Sequence, residues 1–133
     1  MIEQKMLAYV DERGAKRLAN LCYQRSCAAG WWSDAKTGQA HELTPERFAQ
    51  KLCLIHSEIS EAMEGHRKGL MDDKLPHREM VEVELADAVI RIYDLAGRAG
   101  YDIIGAMVEK LEYNAQRADH KPENRIKEGG KAY

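Results

Sequence analysis

Residues 78–98, REMVEVELADAVIRIYDLAGR, decide how this chain folds. Val81, Leu85, Ala88, Val89, Ile92 and Ala96 recur at three- and four-residue steps, the period of an α-helix, and Met80, Val83, Ile90 and Tyr93 form a second apolar row. Between the rows runs a polar line, Glu84, Asp87, Arg91, Asp94 and Arg98. A helix that is apolar on two sides is covered on two sides, so the acids of the polar line must face a site or a paired partner. In a bundle of about four helices the second row needs another copy of the chain, which predicts a homo-oligomer.

Upstream, Thr44-Pro45 supplies an N-cap and a helix-compatible proline, and the helix they start should run to about Lys68. Phe48, Leu52, Ile55, Ile59 and Ala62 are its expected core stripe, with Glu58 and Glu61 on the flank, where they are partly desolvated. Residues 69–76, GLMDDKLP, read as the connection between the two helices. Residues 2–28 carry Leu7, Val10, Leu18, Leu21 and Cys22 at helical positions, with Gly14 as a break or kink. GWWSDAKTGQAHEL, 30–43, is a loop by its Gly, Ser, Asp and Thr content, with Trp31 and Trp32 as unusual residues to leave there. After Ala99-Gly100, Asp102 can cap a last helix to about Ala118, and the polar tail HKPENRIKEGGKAY should be poorly packed or draped on a partner.

Composition bounds what such a chain can be. With 133 residues, 44% hydrophobic and three prolines, it should form one all-α domain over residues 1–118 followed by a polar tail over 119–133, a four-to-five-helix bundle completed by homo-oligomerisation. A net charge of -2, with basic residues spread along the chain, argues against a general nucleic-acid binder. No apolar run approaches the roughly 20 residues of a membrane span, and MIEQKMLAYVDERG has acids where a signal peptide would be apolar, so a soluble, cytoplasmic protein is expected. Cys22, Cys27 and Cys53 lack metal-site spacing and read as reduced packing residues.

The chemistry concentrates in two acidic pairs, Glu58/Glu61 in HSEISEAMEG and Glu84/Asp87 in VEVELADAVI. Acids spaced i,i+3 stand on one side of a helix, so two such helices packed together point four carboxylates into one small volume. Among three- and four-residue neighbours of these acids, only Asp87 has a cation, Arg91. Crowded carboxylates without local counter-charge suit a hard divalent ion such as Mg²⁺, with Mn²⁺ as a substitute. A di-iron carboxylate bundle would need Glu-x-x-His motifs, but Cys53, Met63 and Lys74 stand three residues before His56, His66 and His77.

The order ExxE, gap, ExxD, and then a helix carrying KLEYNAQR resembles the MazG-like superfamily of all-alpha nucleoside triphosphate pyrophosphohydrolases over roughly residues 20–120. The resemblance implies that Glu58, Glu61, Glu84 and Asp87 are the catalytic magnesium ligands. It also implies hydrolysis of a (deoxy)nucleoside triphosphate between the α and β phosphates, giving the monophosphate and pyrophosphate. Lys110, Asn114 and Arg117 fall on the family's closing Lys-x-x-x-Asn-x-x-Arg pattern, which implies a phosphate- and sugar-contacting face, and their spacing separately puts them on one helix side. Trp31 or Trp32 resembles the family tryptophan that packs on the base; one of the two could instead plug the bundle end. Arg91 stands where dCTP-cleaving members have a base-site tyrosine, so no cytosine preference is implied. Arg67 and Lys68 are phosphate contacts or caps for the helix dipole. The reading from another class is a non-catalytic helical dimer or tetramer that binds a nucleotide or a protein partner.

Overall fold

A computed structural model describes residues 11–131. Its elements are α1 (Glu12–Ala28), α2 (Pro45–Lys68), α3 (Met80–Ala99), α4 (Ile103–Gln116), a single 3₁₀ turn (Ala118–His120) and α5 (Pro122–Arg125). No strand occurs among the described residues, only isolated bridges at Ser33/Ala40 and Met71/Glu79, so the chain is all-α. It divides into two compact units, Lys16–Tyr101 and a smaller one built from the segments up to Ala15 and from Asp102 onward.

In the larger unit α2 begins where Thr44 accepts the Arg47 N–H and Pro45 fills the first turn. It ends at Gly69, whose left-handed backbone (φ 59°) directs the last N–H groups onto the Gly65 and His66 carbonyls. The connection is tight rather than slack. Asp72 is buried and its carboxylate accepts the Lys74 and Leu75 N–H groups, while Met80 N–H returns to the Leu70 carbonyl. α3 then runs back along α2, so that Gly65 near the end of one lies against Met80 at the start of the other. Apart from Glu58 and Glu84, the residues buried along this seam, Ala62 and Gly65 on α2 and Ala88 on α3, are small. Small residues let helix axes approach closely, and a close approach is what carries the acids together.

α1 packs on α3 at a second tight point. A Cβ built on Gly97 would stand 2.6 Å from both Cβ and Cγ of Tyr23. Gly14 does not break α1. It lies in the first turn, its N–H held by the Asp11 carboxylate, and the preceding residues of the expected helix lie outside the described range.

The loop between α1 and α2 is held by its own side chains. Asp34 accepts the N–H groups of Lys36 and Thr37 and the Thr37 hydroxyl, and these bonds hold its carboxyl below the usual range. Two bonds tie the loop to α3: Trp32 Nε1 donates to Asp94 at 2.7 Å, and Arg98 donates to the His41 carbonyl.

The smaller unit is simpler. Asp102 caps α4 through the Gly105 N–H, Ile104 is buried, and the helix stops at Gln116 instead of Ala118. The tail is not without structure, because Asn124 bonds the Ala118 carbonyl and Asp119 pairs with Arg117 and Lys131.

Which apolar residues are covered differs from the sequence expectation. Leu52 and Ile59 of the expected α2 core stripe are 44% and 48% exposed, whereas Glu58 is 7% exposed and sits in the seam. On α3 the row expected to lie bare is half-buried at Met80, Val83 and Tyr93 and exposed at Ile90, while Leu85 and Val89 of the other row are exposed as well. The periodicity was right, but the helices are rotated so that the acids face the partner helix. Cys27 and Cys53 are exposed as free thiols, not packed; only Cys22 is half-buried.

The Gly97–Tyr23 contact gives a test of the packing. Alanine gains roughly 1 kcal/mol over glycine in a helix interior, but overpacking against a ring base costs about 1–3 kcal/mol. Gly97→Ala should therefore lower the melting temperature by a few degrees in thermal unfolding; a rise would mean that the two helices do not approach so closely.

Candidate metal centre

Glu58 from α2 and Glu84 and Asp87 from α3 each offer an oxygen within 4.8 Å of the other two. Glu58 and Glu84 are buried and Asp87 is half-buried. Three carboxylates this close are unfavourable unless something neutral or positive separates them, and the chain supplies two such devices. Glu84 keeps its proton to about pH 7. Burial is the main cause, followed by its hydrogen bond to Glu58 and the charges of Glu61, Glu58 and Asp87. Burial also raises Asp87, as does Glu58, against the pull of Arg91.

The second device is Arg91, whose Nε donates to Glu58 Oε1 at 2.5 Å. By sequence it was Asp87's neighbour, one turn along the same helix. The fold hands it across the seam to Glu58 instead. Glu61 remains exposed, outside the three-carboxylate cluster, although near enough for its charge to act on Glu84.

Beside the cluster opens a cavity of about 660 Å³ between α1, α2 and α3. Glu58 and Asp87 form part of its wall together with Asp94 and three cations, Arg25, Lys51 and Arg91. Leu21, Cys22, Leu54, Ile90 and Trp31 supply apolar surface. Burial pushes the Lys51 ammonium down and the Cys22 thiol up.

The tryptophans separate into two roles. Trp31 is 70% exposed and lines the cavity. Trp32 is buried, with Lys51 Nζ 4.3 Å and the Arg98 guanidinium 5.3 Å from its ring centre, so its face is covered and it cannot stack on a ligand. Lys68 is paired with Glu64 at the end of α2 and is not part of the cavity wall.

Lys110, Asn114 and Arg117 belong to the smaller unit. Lys110 and Arg117 lie 4.7 Å and 5.9 Å from the Tyr113 ring centre, and the Asn114 Oδ1 atom is buried without a hydrogen-bond partner. Arg117 is not on the helix with the other two. It is the residue after the last turn, extended at φ -67°, ψ 126°.

Sequence reasoning did not find Lys51, Cys22 or Arg25. Lys51 carried a signal, since it precedes Glu58 by seven residues, two turns, on the same helix side. No protein-family model matches this chain, nor does any curated protein or solved structure.

The donor set fits a hard cation. The oxygens are all carboxylate, they converge from two helices, and the raised pKa of Glu84 marks crowded negative charge that a bound cation would relieve. The sign of the pH dependence follows. Glu84's folded pKa of about 7 lies above its ordinary 4.5, so its contribution to stability is fully present below 4.5 and is lost as pH rises through about 7. In EDTA the protein should therefore melt at a lower temperature at pH 8 than at pH 5.5. Glu84→Gln should flatten that difference; an unchanged slope in this variant would show that the crowding of Glu84 is not its source.

Proposed function

We propose that the chain is a divalent-cation-dependent nucleoside triphosphate pyrophosphohydrolase working as a homo-oligomer. The observation that carries this reading is the meeting of Glu58, Glu84 and Asp87 within 4.8 Å, with Glu58 and Asp87 in the wall of a cavity also lined by three cations and an exposed tryptophan. The order of the acidic motifs and KLEYNAQR, which resembles that of the MazG-like enzymes, supports it from the sequence side.

The residues divide the work. Glu58, Glu84 and Asp87 would hold Mg²⁺ or Mn²⁺, and Glu61, exposed beside the cluster, would add its charge from the solvent side. A bound ion would neutralise charge developing on the phosphates and lower the pKa of its water. Arg25 and Lys51 attract the phosphate chain, and Trp31 offers a face for the base, where stacking contributes about 1–3 kcal/mol with little choice among bases. Lys110, Asn114 and Arg117 remain candidates for phosphate and sugar contacts.

One observation favours a competing reading. Arg91 already gives Glu58 a counter-charge, so the cluster is tolerable without metal, as it would be in a helical oligomer that binds a nucleotide or protein partner without cleavage. Pyrophosphate release from a panel of common and modified nucleoside triphosphates, with and without Mg²⁺, separates the two. Glu84→Gln and Asp87→Asn should each lower turnover by at least about 100-fold while the protein still folds, as expected for the loss of a ligand to the ion that would stabilise the reacting phosphates. Near-normal turnover in both variants, with Glu46→Gln as control, would rule the assignment out.

The oligomer rests on uncovered apolar surface. Leu52, Ile59 and Met63 on α2 and Leu85 and Val89 on α3 are each 44% exposed or more. Helical spacing puts all five on the flank of the α2–α3 pair opposite the cavity. Two such antiparallel pairs are self-complementary about a twofold axis and together complete a four-helix arrangement. Leu85→Glu with Val89→Glu should give a monomer in light scattering; a wild-type protein that already scatters as 15.1 kDa at micromolar concentration would defeat the assembly.

A further inference from the structure

Among the described residues, Arg91 is the only cation in ion-pair contact with the acidic cluster, and it is also part of the cavity wall. We propose that Arg91 is a displaceable counter-ion: it holds Glu58 in the metal-free protein, is released when a divalent cation enters among Glu58, Glu84 and Asp87, and then binds the phosphate chain of the ligand in the adjoining cavity. This rests on the metal-site reading above and adds to it a coupling between the two binding events.

Three features of the site carry it. The pair is asymmetric, since the Glu58 side chain is 9% exposed and that of Arg91 is 41% exposed. The carboxylate is fixed in the seam, so the arginine is the partner with room to leave. Second, the contact is a single side-on bond. Only Nε engages Glu58, and neither terminal guanidinium nitrogen bonds a described residue. Losing that one bond would leave Glu58 buried and unpaired unless another cation took its place, and a divalent ion among the same carboxylates supplies twice the counter-charge at short range.

Third, the destination already exists. Arg91 shares the cavity wall with Arg25 and Lys51, so a guanidinium freed from Glu58 joins two other cations facing the same space. Its planar fork matches phosphate oxygens two at a time. Metal-free protein would then bind phosphate chains poorly for two reasons: its carboxylates hold no metal, and one of the two guanidinium forks in the wall is engaged elsewhere.

The test separates metal affinity from anion affinity. Calorimetry would follow MgCl₂ or MnCl₂ alone, and then imidodiphosphate, a non-hydrolysable phosphate chain, at saturating metal. Arg91→Met removes the competitor, so the metal should bind about tenfold more tightly; it also removes the fork, so imidodiphosphate should bind at least about tenfold more weakly. Arg91→Lys keeps the charge and loses the fork, so metal affinity should stay near wild type while imidodiphosphate still weakens. Circular dichroism checks that both variants fold, and the lysine variant tests the anion half even if the methionine variant does not. Unchanged or weaker metal binding by Arg91→Met would overturn the displacement, leaving Arg91 as a residue that merely orients Glu58. Unchanged imidodiphosphate binding by either variant would overturn the phosphate contact. A wild-type protein that binds no metal would remove the metal centre itself and this coupling with it.

Discussion

The close approach of α2 and α3 is the constraint on which the rest depends. Ala62, Gly65 and Ala88 are small where the two helices meet, and across that seam Glu58 comes within 4.8 Å of Glu84 and Asp87. Larger residues there would relieve the repulsion by separating the acids, and would gain apolar burial as well. The chain forgoes both. What it keeps is a cluster whose charge is managed locally, by a proton on Glu84 and by the guanidinium of Arg91 on Glu58.

The far end of the cavity is set by a different polar contact. Asp94 would be a second crowding problem on α3, one turn beyond Arg91, but it is buried against Trp32 Nε1. That bond fixes the loop after α1 and seats Trp32 beneath Lys51 and Arg98. With Trp32 committed to structure, its neighbour Trp31 is left on the open side. A buried carboxylate thus determines which of two adjacent tryptophans is available to a ligand.

Much of the fold was legible in the sequence, and the limits have a common cause. Thr44-Pro45, Gly69, Gly100 and Asp102 gave the ends of α2, α3 and α4 to within two residues, because caps and breakers act locally. The two acidic pairs were legible by spacing, as was the polar line on which Arg91 and Asp94 lie. Facing was not. Leu52, Ile59, Leu85 and Val89 read as core, yet they are exposed, since a helix wheel shows which residues share a side and not which side its neighbour takes. The Arg91–Glu58 pair was hidden for the same reason: it depends on the register of two helices whose connection carries no length or rotation signal beyond the Asp72 turn. Arg117 was misplaced by the smallest margin, one residue past the end of α4.

The charge balance of the cavity wall ties these observations to the proposed chemistry. Three cations, Arg25, Lys51 and Arg91, stand against three acids, Glu58, Asp87 and Asp94. A wall balanced in this way offers a polyphosphate little net attraction, and one of its cations is already bonded to one of its acids. Asp94 is satisfied by Trp32, so the acids left to oppose an anion are those of the cluster itself. A divalent cation placed there cancels most of the negative charge at that end of the cavity without moving a helix. Affinity for a triphosphate in such a site is therefore conditional on the metal, and the condition follows from where two helices place three carboxylates and one arginine.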